Sequence, residues 1–155
     1  MMNSRAKIII TLIDRKGPNG CHRGHQIGDG YDFDTERGQL CPMAAHVAFP
    51  YIDILRYGGQ IPSNPENRAV FCCPDVDTIN VYRIEKLVSQ DTERLELTPL
   101  TVKDADTVLT MAGKESVARY MRFSTLKSHS EAVDLILQLT AGINNAWLVT
   151  RKSSQ

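Results

Sequence analysis

Residues 93–150 read ERLELTPLTVKDADTVLTMAGKESVARYMRFSTLKSHSEAVDLILQLTAGINNAWLVT, and the fold class turns on how that stretch divides. Residues 94–100 read as a first strand. Thr101-x-x-Asp104 marks a helix start, and two helices follow before a strand around 147–150. The last helix is the best signalled. Ser128-x-x-Glu131 is a capping box, in which hydroxyl and carboxylate satisfy backbone N–H groups that the first turn leaves free. Val133, Ile136, Leu137 and Thr140 keep helical spacing, and Gly142 is placed to end the helix.

Working outward, the polar run Ser89-Gln90-Asp91-Thr92-Glu93 reads as a linker. Before it, residues 6–13 form a β-rich run, and residues 17–30 carry five glycines, a proline and two histidines, the composition of a loop. Residues 31–36 alternate aromatic and acidic side chains like a half-exposed strand. Pro42 opens a helical stretch at a first-turn position where its missing N–H costs nothing. Pro50 should divide that stretch into a short helix to about Ala48 and a second from Pro50 to Tyr57. Tyr51, Ile54 and Leu55 would be the buried face of the second, and Gly58-Gly59 its left-handed cap. Residues 70–73 and 78–87 read as strands, with Pro74-Asp75 starting the turn between them.

Composition narrows the function classes. The 155 residues are 42% hydrophobic and 23% charged, as in a soluble globular protein, and formal net charge is zero. Neither half has the excess of basic side chains that would recruit nucleic acid or an anionic membrane. The run Ile8-Ile9-Ile10-Thr11-Leu12-Ile13 is too short for a membrane span and lacks a signal-peptide pattern. The chain reads as cytoplasmic, where Cys21, Cys41, Cys72 and Cys73 would be thiols or metal ligands rather than disulfides.

The 93–150 stretch resembles the opening of a GNAT-type N-acetyltransferase domain. The residues that carry the likeness are Arg94-Leu95-x-Leu97-x-Pro99-Leu100, Asp104-Ala105 and Val117-Ala118-Arg119-Tyr120-Met121. The resemblance implies acetyl-CoA as cofactor and an acceptor groove lined around Arg119, Tyr120 and Phe123. The plainer reading of Tyr120, Met121 and Phe123 is as core residues of a helix end. In that family a later Gln/Arg-x-x-Gly-x-Gly/Ala turn holds the acetyl-CoA pyrophosphate. Arg151-Lys152-Ser153-Ser154-Gln155 supplies no such turn, so the expectation is a partial β-α-α-β segment without the family's usual chemistry. Its final strand would stand at a sheet edge, and three outcomes follow: it pairs with a second copy as a homodimer, it folds back on the rest of the chain, or the segment is a marginally stable remnant of a longer enzyme.

The other half carries five short motifs: residues 21–29, CHRGHQIGD; residues 38–42, GQLCP; residues 56–59, RYGG; residues 72–75, CCPD; and residues 82–85, YRIE. Their order resembles a family of small uncharacterised prokaryotic proteins, which implies a domain identity and no activity. Thiols and imidazoles are the natural ligands of zinc, so Cys21, His25, Cys41 and Cys72 form a candidate metal set. No Cys-x-x-Cys pair supports it, and Cys72 and Cys73 should face opposite sides of a strand. Cys41, at a helix N-terminus, could instead be a reactive thiol with His46, His22 or His25 as its base, or a buried cap. Cys21, His22, His25, Asp29 and Cys41 are the candidate ligand-binding residues, with the glycine-rich loop as the place to look first. His129 reads as exposed and without a role.

The expected whole is an α+β protein: a small Cys/His-containing domain over residues 1–88, then a linker and partial GNAT-like segment over 89–155. The leading functional expectation is a non-catalytic binding or regulatory module needing no cofactor of its own. An acetyltransferase completed in trans, and a metal or thiol-redox domain, are the alternatives.

Overall fold

The structure, a computed structural model, describes residues 6–152 except residues 66, 89 and 142–145, and only the backbone of residues 90 and 91. The expected helix stop at Gly142, the first linker residue Ser89 and the closing Ser153, Ser154 and Gln155 lie outside the described residues. The fold is α+β, with helices beside two antiparallel sheets.

The first sheet has the strand order β2-β1-β4-β3, built from β1 (Ile8–Lys16), β2 (Gly30–Asp32), β3 (Arg68–Cys72) and β4 (Ile79–Lys86). β1 is central because it is buried on both faces. Ile8, Ile9, Ile10 and Leu12 are all fully buried, each contributing roughly 1.5–3 kcal/mol relative to exposure. Its pairing with β4 shifts register between Leu12 and Asp14, so Ile13 sits in a bulge.

Ile8, Ile10, Leu12, Ala69, Phe71, Tyr82 and Ile84 share one core with helix α1 (Pro42–Arg56). Here the expected division at Pro50 is corrected: α1 runs through it. Its buried residues Ala44, Ala48, Ile52 and Leu55 form an unbroken stripe, while Pro50 sits on the exposed face. Packing along that stripe outweighs the one hydrogen bond the proline removes. The same stripe buries Ile52 and leaves Ile54 exposed, against the expected face. The half-exposed strand expected over 31–36 is also shorter. β2 ends at Asp32 because Glu36 turns back: its Oε2 accepts from Asp32 N at 2.8 Å and its N–H donates to Asp32 O at 2.7 Å.

The sheet's other face carries Ile9, Thr11, Arg83 and Glu85, all buried. A 3₁₀ turn at Val102–Asp104 and helix α4 (His129–Leu139) come against this side of the fold: Val102 lies over Gly30, Val133 over Gly28. Arg83 reaches the end of α4, donating from Nη1 to Thr140 O at 3.2 Å and from Nη2 to Thr140 Oγ1 at 3.0 Å.

The second sheet has the order β5-β6-β7, from β5 (Gln90–Asp91), β6 (Leu95–Pro99) and β7 (Trp147–Arg151). Helices α2 (Ala105–Ala112) and α3 (Glu115–Ala118) lie between β6 and α4 in the chain. A second core joins Leu100, Val102, Ala105, Ala132, Val133 and Ile136 with Leu109 and Leu148. Both helix-start signals are realised. Asp104 Oδ2 accepts from Thr101 N and Oγ1 at 2.8 and 2.9 Å. Ser128 Oγ accepts from Glu131 N at 3.3 Å, while Glu131 Oε2 reaches one residue further back, to Lys127 N, at 2.7 Å.

Candidate functional site

The 17–30 loop folds over one end of the first sheet and is fastened to the β3–β4 turn. Thr78 Oγ1 donates to Asn19 O at 3.2 Å, and His22 Nδ1 pairs with Asp75 Oδ2 at 3.1 Å. Arg15 holds the loop from β1, its Nε on Asn80 Oδ1 at 2.9 Å and its Nη2 on the His25 carbonyl. These ties turn His25 inward, where it is 7% exposed.

His25 stands edge-on to Tyr31, their ring centres 5.2 Å apart, with Nδ1 in hydrogen-bond contact with the Tyr31 hydroxyl. That hydroxyl also lies 3.3 Å from Asp29 Oδ2, which accepts from Gln26 N at 2.7 Å. An ionised carboxylate only accepts and a tyrosine has one hydrogen to give. The arrangement that serves all three groups runs from Nδ1–H to the Tyr31 oxygen and from Tyr31 O–H to Asp29. It leaves a lone pair on His25 Nε2, which is buried without a hydrogen-bond partner among the described residues. The Tyr82 hydroxyl is likewise buried and unpartnered. Cys21 lies within electrostatic reach of the Tyr31 and Tyr82 hydroxyls.

Burial, only partly offset by Asp29, lowers the His25 pKa and favours the neutral imidazole. Burial and the Asp29 charge raise the Tyr31 pKa, and burial above all raises that of Tyr82, so both hydroxyls keep their protons. The result is a low-dielectric site with one basic nitrogen to offer and the Asp29 carboxylate beside it. It suits a neutral hydrogen-bond donor far better than an anion.

The other candidates divide. His22 faces outward to Asp75. Cys41 caps α1 without a side-chain hydrogen bond and is buried in the α1 core, while His46 is exposed, so the thiol–base pair proposed for Cys41 and His46 is not assembled. Cys72 is exposed and Cys73 buried, as expected of strand neighbours. Cys73 Sγ donates to Thr78 O at 3.4 Å and accepts from Asn80 N at 3.2 Å.

Among the described residues no three His, Cys, Asp or Glu side chains form a group able to hold a metal ion. The expected zinc set of Cys21, His25, Cys41 and Cys72 is not assembled among them. Cys41 packs beneath the helix and Cys72 is exposed.

The loop glycines also serve a purpose other than the expected approach to a ligand. A Cβ on Gly28 would lie 2.5 Å from Val133 Cγ1, and one on Gly30 2.3 Å from Val102 Cγ2. Both positions let the C-terminal segment close onto the loop. Arg119 and Tyr120, expected in an acceptor groove, form an exposed cation–π pair with the guanidinium 5.9 Å from the ring. Phe123 is half-buried. Tyr120 and Met121, at 82% and 53% exposed, do not join the core as the plainer reading had it. His129 is exposed and lies 3.7 Å from Asp106. A separate cavity of 250 Å³ is lined by Leu55, Gly58, Gln60, Asn67 and Lys86, none of them a sequence candidate.

No family model, curated protein or solved structure matches this chain. Among the described residues no helix is long and apolar enough to cross a membrane. Tyr31 is the site residue that sequence reasoning missed. The one available signal was Tyr31 standing two residues after Asp29.

Proposed function

We propose that this chain is a binding module rather than a catalyst, and that it takes a small neutral hydrogen-bond donor beneath the 17–30 loop. One observation carries the reading: the buried Nε2 of His25 has no partner among the described residues while its ring is positioned through Nδ1 by Tyr31 and Asp29. An unsatisfied buried acceptor costs about 1–3 kcal/mol, and a site that supplies its missing donor recovers that energy on binding. Entry requires the loop to lift, and the His22–Asp75 pair, with His22 exposed, is one of the ties to release.

The C-terminal segment is, on this reading, a GNAT-like element used for packing. Its order of strand, helices and strand supports the likeness, and Val102 and Val133 give it a structural task against the loop. Acetyl-CoA enters by fold analogy alone.

The test is nitrogen NMR of the histidine side chains during titration with neutral alcohols, amides and thiols, with inorganic phosphate and acetyl-CoA as anionic comparators. Free protein should show His25 Nε2 unprotonated. A neutral donor should shift that resonance and raise the melting temperature, and His25→Phe should abolish both effects. A protonated Nε2, or a panel in which no neutral donor moves it, overturns the proposal. Saturable acetyl-CoA binding with acetyl transfer to an amine would establish the enzyme reading instead.

A further inference from the structure

The register of the second sheet determines which backbone groups of β7 are free. Leu100 N donates to Ala146 O and Lys152 N to Arg94 O, each at 2.9 Å. Antiparallel pairing alternates, so the even-numbered β7 residues Leu148 and Thr150 bond to β6. The N–H and C=O groups of Trp147, Val149 and Arg151 therefore point to the open edge, where β7 has no neighbouring strand among the described residues.

The side chains of those three residues share a sheet face with Leu95, Leu97 and Pro99, their cross-strand partners. Leu148 points the other way, into the second core. Apart from Arg151 the outer face is thus apolar, and Leu95 and Val149 are 38% and 54% exposed on it.

We propose that two copies of this chain associate by antiparallel pairing of β7 with β7, about a two-fold axis through Val149. The strand is complementary to itself in that register. Val149 meets the partner's Val149, and Arg151 meets the partner's Trp147, placing a guanidinium against an indole. No like charges are opposed. The three outward-facing residues of each strand make about six hydrogen bonds with those of the other. At the axis the two Val149 side chains join the apolar faces of the two copies. β5, at the far edge, has two residues, too short a strand to extend the association, so the assembly closes as a dimer rather than a filament. This inference does not depend on the His25 site.

Sedimentation velocity on the full chain, over roughly 5–500 µM as suits a small interface, should show the mass doubling with concentration. Hydrogen exchange should then slow at the Trp147, Val149 and Arg151 amides and stay unchanged at Leu148 and Thr150. Val149→Pro removes an outward N–H that β6 does not use, and should abolish dimerisation. Val149→Lys and Val149→Glu should each be monomeric with an unchanged circular dichroism spectrum, and an equimolar mixture should recover the doubled mass. Constant monomer mass in the wild type, a dimer that survives all three substitutions, or a mixture that stays monomeric would each overturn the proposal.

Discussion

His25 couples the site to pH. Its pKa lies below the ordinary 6.5 because burial opposes the charged form. As pH falls below 6.5, the unfolded chain takes up a proton that the folded chain resists, so folding stability declines. The slope has an upper limit of about 1.4 kcal/mol per pH unit for one such group. Urea unfolding at pH 7.5, 6.5 and 5.5 should show this decline, and His25→Gln should remove that part of it. Asp32, held low by hydrogen bonds to Asp34 N and Lys7, and Glu36, held low by Lys103, lose their stabilising pairing only in a more acidic window. The two contributions are therefore separable. At this scale the sequence was informative where one residue's local geometry decides, as for the opposite faces of Cys72 and Cys73. It was silent on the His25–Tyr31 contact, because that hydrogen bond joins a loop to a strand at no fixed spacing.

Elements were most legible where caps and periodicity agreed, as at Thr101–Asp104 and Ser128–Glu131. α1 was misread because proline is a strong local signal, whereas the stripe from Ala44 to Leu55 is a packing fact that appears only with the sheet beneath it. The contact between β2 and the 3₁₀ turn is similar: nothing in the sequence pairs Gly30 with Val102. It makes a clean experiment. Gly30→Ala should destabilise the protein by about 1–3 kcal/mol through overpacking. Val102→Ala opens the space the new methyl needs, so the double variant should be less destabilised than the sum of the two singles. Denaturant midpoints of the three variants give the coupling, and an additive result would show that the two elements do not press on one another.

Across the molecule, the buried Arg83 and Glu85 lie on the sheet face that the C-terminal segment approaches. Glu85 pairs with Arg68 at 2.7 Å and with Arg83 at 3.0 Å, and Arg68 and Arg83 both donate to Thr140 O. Glu85→Gln would leave two guanidiniums without their shared carboxylate and should cost about 3–5 kcal/mol. Arg83→Met should cost less, because Arg68 still neutralises Glu85. Trp147 is the sole tryptophan and lies in the second sheet. Its fluorescence and the far-ultraviolet circular dichroism should report the same unfolding midpoint in wild-type protein if these contacts couple the two sheets. The α+β class and the strands that bound the 93–150 stretch were readable from pattern, but three helices, α2, α3 and α4, stand between them where two were expected. The joining of its helices to the first sheet was not readable, since it rests on two glycines and an ion-pair network whose members are far apart in the chain.

The central place of β1 also has a consequence in time. Its Ile8–Leu12 run gains β2 along one edge early, over Ile9–Thr11, but β4 follows only about 70 residues later. At ordinary rates of translation that is a wait of roughly 4–14 s. During synthesis the stickiest segment of the chain is therefore half-covered for seconds. Lys7, Asp14, Arg15 and Lys16, the charges that flank it, guard the nascent protein before the fold can.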